Sequence, residues 1–221
     1  MREIVLDTET TGLDPRDGHR IIEIACLELM HHVPTGHKFQ RYINPERDVP
    51  DEALAVHGLT AEFLGGFPPF AAVADELLEF IGGDVLVTHN AEFDLAFLEA
   101  ELRRLQYPPI ASSHVDTLAL ARRRFPGAPA SLDALCRRFA IDLSGREKHG
   151  AEIDCTLLAE VYLELIGGRQ PVLDFVLPGS AAIAAVRVAR APRPHAPSDD
   201  ELAAHLAMLA ILKEPLWLAA G

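Results

Sequence analysis

The sequence predicts an α/β fold, in which a mixed sheet is flanked by helices and a tail follows at the C-terminus. The first 43 residues alternate β-rich runs with turns, and the following residues alternate short buried strands with runs of helical period. After Gly168 the chain becomes rich in Pro, Ala and Arg without a sustained period. We therefore expect a domain at residues 1–168, a linker at 169–197 and a terminal segment at 198–221 that contains an amphipathic helix.

Five strands are expected. Three lie in the first part of the chain: EIVLDTE (3–9), IIEIACLELM (21–30) and HKFQRYIN (37–44). Short loops join them, including the turn signal PTG before the third strand, which favours an antiparallel meander. The other two strands are DVLVTHN (84–90) and the start of HVDTLALARRRF (114–125), and each is followed by a helical run.

The helices are predicted from apolar residues that recur at helical spacing. They are PFAAVADELLEFIGG, AEFDLAFLEAELRRL, the rest of HVDTLALARRRF, SLDALCRRF and GAEIDCTLLAEVYLELIGG. Pro108 and Pro109 are expected to end the second helix. Ser131 is expected to cap the N-terminus of the fourth, and a glycine pair to end the fifth.

The composition predicts one globular core in a reducing compartment. The chain has 221 residues and is 49% hydrophobic, which allows a full core and an additional tail. No apolar run reaches membrane-spanning length, and the N-terminus lacks the pattern of a signal peptide. The cysteines Cys26, Cys136 and Cys155 lie far apart, so we expect neither a disulfide nor a zinc site. These features predict a cytoplasmic protein.

The net charge of −13 argues against binding of nucleic acid by a broad basic surface. Residues 1–166 contain 15 Lys and Arg against 28 Asp and Glu, whereas residues 167–221 contain 5 of each. The acidity therefore belongs to the first part of the chain. Contact with a polyanion would need metal ions, a few placed groups or a partner protein.

Several carboxylates occupy positions where burial is costly without a cation or a metal ion. Asp7 and Glu9 end the first apolar strand, Asp94 lies early in a helix after a buried strand, and Asp154 lies in the last helix of the domain. Oxygen ligands are those that magnesium and manganese prefer. Four such groups from different elements can hold two divalent cations, which suits phosphoryl transfer.

A histidine precedes the last of these acids. His149 and Asp154 are separated by about 140° on an ideal helix, so they would not share a helical face. If His149 lies on the loop before the helix, both side chains can point into one pocket. A histidine, whose usual pKa is near neutral, can take the proton of an attacking water.

Each of these residues also has a structural interpretation. Asp7 and Glu9 suit a turn at the end of a strand, and Asp94 is favoured by the dipole of its helix. Asp154 and His149 suit solvated surface positions. The ordered set, rather than any single residue, favours a catalytic site.

The motifs DTETTG, HNAEFD and HGAEID, in this order, resemble those of the DEDDh 3′–5′ exonucleases, which have an RNase H-like fold. The four acids and the histidine of that family correspond to Asp7, Glu9, Asp94, Asp154 and His149. IIEIACLEL, VHGLT and SLDALCRRFAID extend the resemblance over residues 2–168. In these stretches the chain is similar to the members that proofread for bacterial replicative DNA polymerases.

The resemblance implies a role for each of the five residues. Asp7 would bridge two divalent cations, Mg²⁺ or Mn²⁺. Glu9 and Asp154 would help to hold the first cation, and Asp94 would support the second through water. His149 would be the general base.

The resemblance also implies contacts with the 3′-terminal nucleotide. The backbone of Thr10, Thr11 and Gly12 would approach it, and Leu13 would pack against its base. His57, Asn90 and Phe93 are the other expected contacts. We interpret Asp116 as a structural acid near the site, and Arg122–Phe125 as a solvated helix end rather than a DNA contact.

The tail contains QPVLDF at residues 170–175. Its Gln170, Leu173 and Phe175 have a spacing similar to that of peptides that bind the bacterial beta sliding clamp. A proline follows the glutamine and an aspartate separates the last two anchors, which departs from the commonest pattern and predicts weak affinity. A chance apolar island in a linker is the alternative interpretation.

A helix is predicted in SDDELAAHLAMLAILKEP. Ser198 and Glu201 fit a capping box, and Pro215 is expected to stop the helix. The apolar stripe consists of Leu202, Leu206, Leu209 and Leu212, and Trp217 follows it. Such a helix can fold back on its own domain. The proline-rich linker before it favours docking elsewhere, and the resemblance to the proofreading exonucleases implies that it binds the alpha subunit of the polymerase, with Ala182–Arg190 as part of the contact.

The sequence thus predicts a 3′–5′ exonuclease that removes mispaired nucleotides from a DNA 3′ end, single-stranded or frayed. The expected partners are the DNA, the alpha subunit, the beta sliding clamp and a small theta-like subunit, with no membrane. The alternative within the enzymes is a general or RNA-trimming DEDDh exonuclease. The alternative from another class is a non-catalytic scaffold between clamp and polymerase.

Overall fold

A five-stranded mixed sheet forms the centre of the fold in a computed structural model, which describes residues 1–144, 148–168 and 196–212. The strands are β1 (Arg2–Thr10), β2 (Ile21–Met30), β3 (Val33–Tyr42), β4 (Val85–Thr88) and β5 (His114–Asp116). Their order in the sheet is β3-β2-β1-β4-β5. The first three are antiparallel, and β4 and β5 run parallel to β1. The predicted fold class is confirmed.

Eight α-helices occur in these described ranges. They are α1 (Asp51–His57), α2 (Ala61–Leu64), α3 (Ala74–Ile81), α4 (Ala91–Arg104), α5 (Thr117–Arg124), α6 (Leu132–Phe139), α7 (Ala151–Leu165) and α8 (Asp199–Leu209). All of the predicted helices are present. The sequence analysis missed α1 and α2, because both are too short to show helical periodicity. The described helices include none that is long and apolar enough to cross a membrane.

The sheet is covered on both faces. Side chains alternate along β1, so Ile4 and Leu6 pack with α3 and α4 in one apolar cluster, while Val5 packs with α5, α6 and α7 in the other. This double burial explains the continuous apolar run at the start of the chain. The carboxyl end of β1 consequently lies where α4 and α7 reach the sheet edge from opposite faces. Cys26, Cys136 and Cys155 are all buried.

The hairpin between β2 and β3 differs from the prediction. The turn is His31–His32, both with positive φ (53° and 66°), and the predicted turn PTG lies inside β3. Leu27 pairs with Lys38 but Leu29 pairs with Pro34, so the PTG region bulges out of the ladder, with Gly36 at φ 90°. A two-residue turn with positive φ is a common hairpin connection, but two histidines are an unusual sequence for it.

Helix α4 ends at Arg104, one residue before the end of the predicted run AEFDLAFLEAELRRL, and Gln106 with a positive φ of 63° lies between it and the prolines at 108 and 109. One predicted helix end is wrong. Helix α8 ends at Leu209 rather than at Pro215. Its start is as predicted, since Ser198 and Glu201 form a capping box.

The chain divides into two compact units, Met1–Leu173 and Asp174–Gly221. In the second unit, Leu202, Leu206 and Leu212 are exposed and Leu209 is buried. The predicted clamp-binding residues Gln170, Leu173 and Phe175, the segment Ala182–Arg190 and Trp217 lie outside the described residues.

Candidate active site

The carboxyl end of β1 supplies the first two acids. Asp7 and Glu9 are two residues apart on one strand, so both lie on the face that α7 covers. Glu9 is only 8% exposed. Burial raises the pKa of Asp7 well above its usual range, and the negative charges of Asp94, Asp154 and Glu9 raise it further. The strand therefore delivers carboxylates into a site where burial and neighbouring negative charges oppose the ionisation of Asp7.

Helix α4 supplies the third acid from the opposite face. Asp94 lies in the first turn and is 3% exposed. Thr8, which points to that face of β1, donates a hydrogen bond of 2.7 Å from its Oγ1 to Asp94 Oδ1. Burial raises the pKa of Asp94 to about 7, against the lowering effect of the Thr8 bond. The sequence analysis did not assign this role to Thr8.

The start of α4 is fixed by Asp116. Asn90 precedes the helix with a positive φ of 79°, and its backbone N–H donates to Asp116 Oδ1 over 3.1 Å. The same oxygen accepts from the N–H groups of Leu118 and Ala119, so Asp116 also caps the N-terminus of α5. This geometry agrees with the interpretation of Asp116 as a structural acid.

Helix α7 supplies the fourth acid and the preceding loop supplies the histidine. Asp154 lies in the first turn and is 4% exposed, whereas the side chain of His149 is half-exposed. His149 Nδ1 lies 3.4 Å from Asp154 Oδ2. One ligand atom each of Glu9, His149 and Asp154 can be chosen so that all lie within 4.8 Å of one another. His149 thus lies on the loop, as predicted, and still reaches the acids.

Glu23 is a buried acid of the site that the sequence analysis missed. It lies opposite Glu9 in the β1–β2 ladder, and its Oε2 accepts from the backbone N–H of Ala151 at the start of α7, over 3.2 Å. Its Oε1 accepts from Gln40 Nε2 over 2.8 Å. Burial raises its pKa. The signal in the sequence was a glutamate inside an otherwise apolar strand.

A cleft of about 370 Å³ opens beside the histidine. Its lining includes Glu23, Tyr42, His57, Leu59, Lys148 and His149. His57 is buried; its Nδ1 accepts from the N–H of Leu59 over 3.0 Å, and its Nε2 has no hydrogen-bond partner among the described residues. Burial lowers the pKa of His57, and nearby Lys148 and His149 lower it further. A substrate group could pair with this nitrogen.

A larger groove of about 860 Å³ lies on the α4 side of the site. Three of the predicted substrate contacts, Leu13, Asn90 and Phe93, line it together. Leu13 is 86% exposed, so its side chain is accessible to a ligand in the groove. Phe93 packs on Phe97 with ring centroids 5.0 Å apart. The groove combines apolar side chains that suit a nucleobase, such as Leu13 and Phe93, with charged ones such as Arg16 and Glu92.

Comparison with known proteins gives the family. The family model described as Exonuclease matches residues 4–162. DNA polymerase III subunit epsilon of Rickettsia felis is 53% identical over 180 residues, which cover 80% of this chain and 79% of that protein. The Escherichia coli K12 protein of the same name is 43% identical over 238 residues, which cover 99% of this chain and 98% of that protein.

Solved structures show the same fold. Exonuclease X in complex with 5′ overhanging duplex DNA has a TM-score of 0.59 at 24% identity, covering 74% of this chain and 90% of that one. The nuclease domain of 3′hExo, a DEDDh family member bound to rAMP, has a TM-score of 0.64 at 20% identity, covering 75% and 91%. The zinc-bound E. coli ExoI–ssDNA complex has a TM-score of 0.66 at 19% identity, covering 77% and 41%.

The family model covers the sheet from Ile4 onward and every site residue on α4 and α7, and the similarity to the E. coli protein continues through the tail. The family predicted from the three motifs is confirmed. The chain belongs to the exonuclease family and, within it, groups with the epsilon subunits of bacterial DNA polymerase III.

Proposed function

We propose that this chain is a metal-dependent 3′–5′ exonuclease that removes mispaired 3′-terminal nucleotides from DNA, as the proofreading subunit of DNA polymerase III. One observation carries the proposal: the residues predicted from the three motifs converge at the carboxyl end of β1. They are Asp7, Glu9, Asp94, Asp154 and His149.

The donor set fits two divalent cations, Mg²⁺ or Mn²⁺. Its carboxylate oxygens are the ligands that these hard cations prefer, and the raised pKa values of Asp7 and Asp94 indicate uncompensated negative charge. We assign Asp7 to both ions, Glu9 and Asp154 to the first, and Asp94 to the second. When bound, the ions supply positive charge to the phosphate and to the attacking and leaving oxygens.

His149 suits the role of general base. Its half-exposed ring can exchange a proton with solvent, and Asp154 at 3.4 Å stabilises the ring once it is protonated. The attacking water gives its proton to His149 as its oxygen bonds to phosphorus. The bond between phosphorus and the 3′ oxygen of the preceding nucleotide breaks, and that oxygen takes a proton from solvent, which releases a nucleoside 5′-monophosphate and a new 3′ hydroxyl. His149 then returns its proton to solvent.

The two cavities beside the acids support a single-stranded 3′ end as the substrate. The groove on the α4 side offers Leu13, Asn90 and Phe93 to the terminal base, and His57 offers an unpaired nitrogen from the other cleft. A mispaired end frays more readily than a paired one and enters such a site more often. Selectivity for mispairs then follows without recognition of the mispair itself.

We propose that the tail tethers the enzyme to its assembly. Residues Leu202, Leu206, Leu209, Leu212 and Trp217 would bind the alpha subunit, and the peptide at 170–175 would bind the beta sliding clamp. A theta-like subunit would bind the exonuclease domain. A tether raises the effective concentration of an acidic enzyme at the primer end. We also propose that the protein acts in the cytoplasm, because replication of a bacterial chromosome takes place there.

Hydrolysis of a 3′-mispaired primer–template in Mg²⁺ tests the proposal, with the Asp7→Ala variant as control and an RNA strand alongside. We expect loss of the mispaired DNA nucleotide by the wild type only. Faster loss from RNA would indicate an RNA-trimming enzyme. Absence of cleavage of either strand would indicate the non-catalytic scaffold.

A further inference from the structure

We propose that His19 is a positioning residue, which holds the turn of Gly12 and Leu13 in the place where it receives the 3′-terminal nucleotide. The proposal rests on the proposed function, because Gly12 and Leu13 are substrate contacts in that account. His19 lies on the loop that returns from this turn to β2.

The ring of His19 rests directly on Gly12. A Cβ atom added at Gly12 would lie 2.3–2.4 Å from three atoms of the His19 ring, far inside contact distance. Gly12 does not belong to the glycines with positive φ. The site therefore needs glycine because the ring occupies the space of a side chain, and the backbone itself would tolerate other residues.

A hydrogen bond fixes the ring in this place. Thr11 Oγ1 accepts from the N–H of Arg20 over 3.0 Å and forms a second hydrogen bond with His19 Nδ1, 3.1 Å away, whose direction follows the tautomer of the ring. The N–H of Thr11 donates in turn to the carbonyl of Arg20 over 2.9 Å. Thr11 is fully buried, which protects these bonds from water.

The far end of the loop is anchored to α4. Arg20 donates from Nε and Nη2 to the two carboxylate oxygens of Glu101, over 2.6 and 2.8 Å. Glu101 is buried, and this bidentate pair is strong and directional. The chain of contacts runs from α4 through Arg20 and Thr11 to the ring of His19, and from there to Gly12.

This arrangement explains how the exposed side chain of Leu13 can keep a defined position before substrate arrives. A pre-ordered contact loses less entropy on binding. The metal-binding acids do not belong to this network. Loss of the His19 ring should therefore weaken binding of the DNA end and spare the chemical step, which raises KM and leaves kcat close to that of the wild type.

A double-mutant cycle between Gly12→Ala and His19→Ala tests the contact, with KM for a 3′-mispaired primer–template as the readout. We expect Gly12→Ala alone to raise KM by about tenfold or more, because the added methyl group displaces the ring and the turn. With His19 already replaced by alanine, the same substitution should change KM by less than about twofold. Equal effects in both backgrounds would overturn the proposal.

Two further variants separate positioning from folding. His19→Asn keeps an oxygen that can accept the Thr11 hydroxyl, so we expect its KM to fall between those of the wild type and His19→Ala. His37→Ala, at an exposed histidine of β3, should match the wild type. If His19→Asn raises KM as much as His19→Ala does, the hydrogen bond to Thr11 makes no contribution to positioning.

Hydrolysis of bis(p-nitrophenyl) phosphate, a phosphodiester without a base, separates this proposal from the proposed function. We expect His19→Ala to hydrolyse it at the wild-type rate, since the acids are unchanged. An equal loss on both substrates would show that His19 serves the metal site or the fold, which overturns the positioning role. Failure of the wild type on both substrates would instead contradict the proposed function.

Discussion

The burial of Asp94 makes the metal-free protein less stable at neutral pH. Its carboxyl group is 3% exposed and has a pKa of about 7, above the usual value of about 3.9 for an aspartate. Between these two values the folded state holds more protons than the unfolded state. The free energy of unfolding of the metal-free protein therefore falls as pH rises from about 4 to about 7, by at most about 1.4 kcal/mol for each pH unit.

We predict that Asp94→Asn stabilises the metal-free protein while it abolishes exonuclease activity. The amide stays neutral at every pH and keeps an oxygen that accepts the Thr8 hydroxyl. In EDTA at pH 8 its thermal unfolding midpoint should exceed that of the wild type, and the difference should shrink towards pH 4. A midpoint equal to or below the wild-type value at pH 8 would contradict the raised pKa of Asp94.

Thr8 stabilises the ionised form of the Asp94 carboxylate. The Thr8→Val variant keeps the shape of the side chain but loses the 2.7 Å bond to Asp94, which favours the ionised form. A bond to a charged group contributes about 1.5–3 kcal/mol, so the Mg²⁺ concentration for half-maximal rate at pH 7 should rise at least about tenfold. The difference should narrow as the pH rises towards 9, because a larger fraction of Asp94 is then ionised in the variant.

Thr35→Val, at an exposed threonine of β3, provides the control for this change. Its metal requirement should equal that of the wild type. If Thr8→Val also shows the wild-type Mg²⁺ requirement at pH 7, the hydrogen bond has no part in ion binding.

Single residues were predictable where they carried a motif. The acids Asp7, Glu9, Asp94 and Asp154 could be found because each follows or begins a recognisable element. Thr8 could not, since threonine is an ordinary strand residue and its partner lies 86 positions away in the sequence. Hydrogen bonds between distant segments are set by how the helices pack, which local sequence patterns do not show.

At the scale of elements, the start of α7 determines the position of His149, the proposed general base. The N–H of Ala151 donates to Glu23 in β2, and the N–H of His149 donates to the carbonyl of Val56 in α1 over 3.4 Å. The loop before α7 is thus tied to the sheet and to a neighbouring helix. These ties hold the position of the His149 ring relative to Asp154.

We predict that Glu23→Gln lowers kcat by about tenfold with little change in KM. A glutamine can accept from Ala151 only by turning its amide nitrogen towards the amide of Gln40, so one of the two bonds is lost and the helix start shifts. Steady-state kinetics on a mispaired primer measures this effect.

Ser131→Ala is a matched control for stability. Ser131 caps α6 through the N–H of Ala134, and loss of such a cap costs about 1 kcal/mol. It should lower the unfolding midpoint without changing kcat. A similar fall of kcat in both variants would show that Glu23 acts through stability alone.

Strands and helices with a strong hydrophobic period could be predicted from the sequence, whereas a turn defined by unusual dihedral angles could not. The apolar runs of β1 and β2 and the long helices α4 and α7 were predicted closely, because burial on one or both faces leaves a repeat in the sequence. The His31–His32 turn was missed because its signal is a pair of positive φ angles, which histidine seldom adopts.

The whole molecule consists of two compact units, with the site residues in the first. The predicted division after Gly168 lies close to the boundary at Leu173, and the acidic charge is concentrated before it. We propose that catalysis and attachment are correspondingly separate. The first unit would hold the chemistry, and the second would supply the contact with polymerase.

We predict that a chain ending at residue 168 keeps the wild-type kcat/KM on a mispaired oligonucleotide and loses its association with the alpha subunit. Size-exclusion chromatography with purified alpha subunit measures the association. In the full-length chain, Leu206→Glu at the exposed face of α8 should weaken association in the same way without loss of cleavage. Co-elution of the truncated chain with the alpha subunit would refute the tail as the contact.

Counting bound metal ions tests the central claim of a two-metal carboxylate site most directly. We would titrate Mn²⁺ into the wild type and into Asp7→Asn by isothermal calorimetry, in the presence of a deoxynucleoside 5′-monophosphate. We expect the wild type to bind two Mn²⁺ ions and Asp7→Asn, in which the shared ligand is neutral, to lose Mn²⁺ binding. A wild type that binds no ion or only one, or an Asp7→Asn variant that still binds two, would contradict the claim.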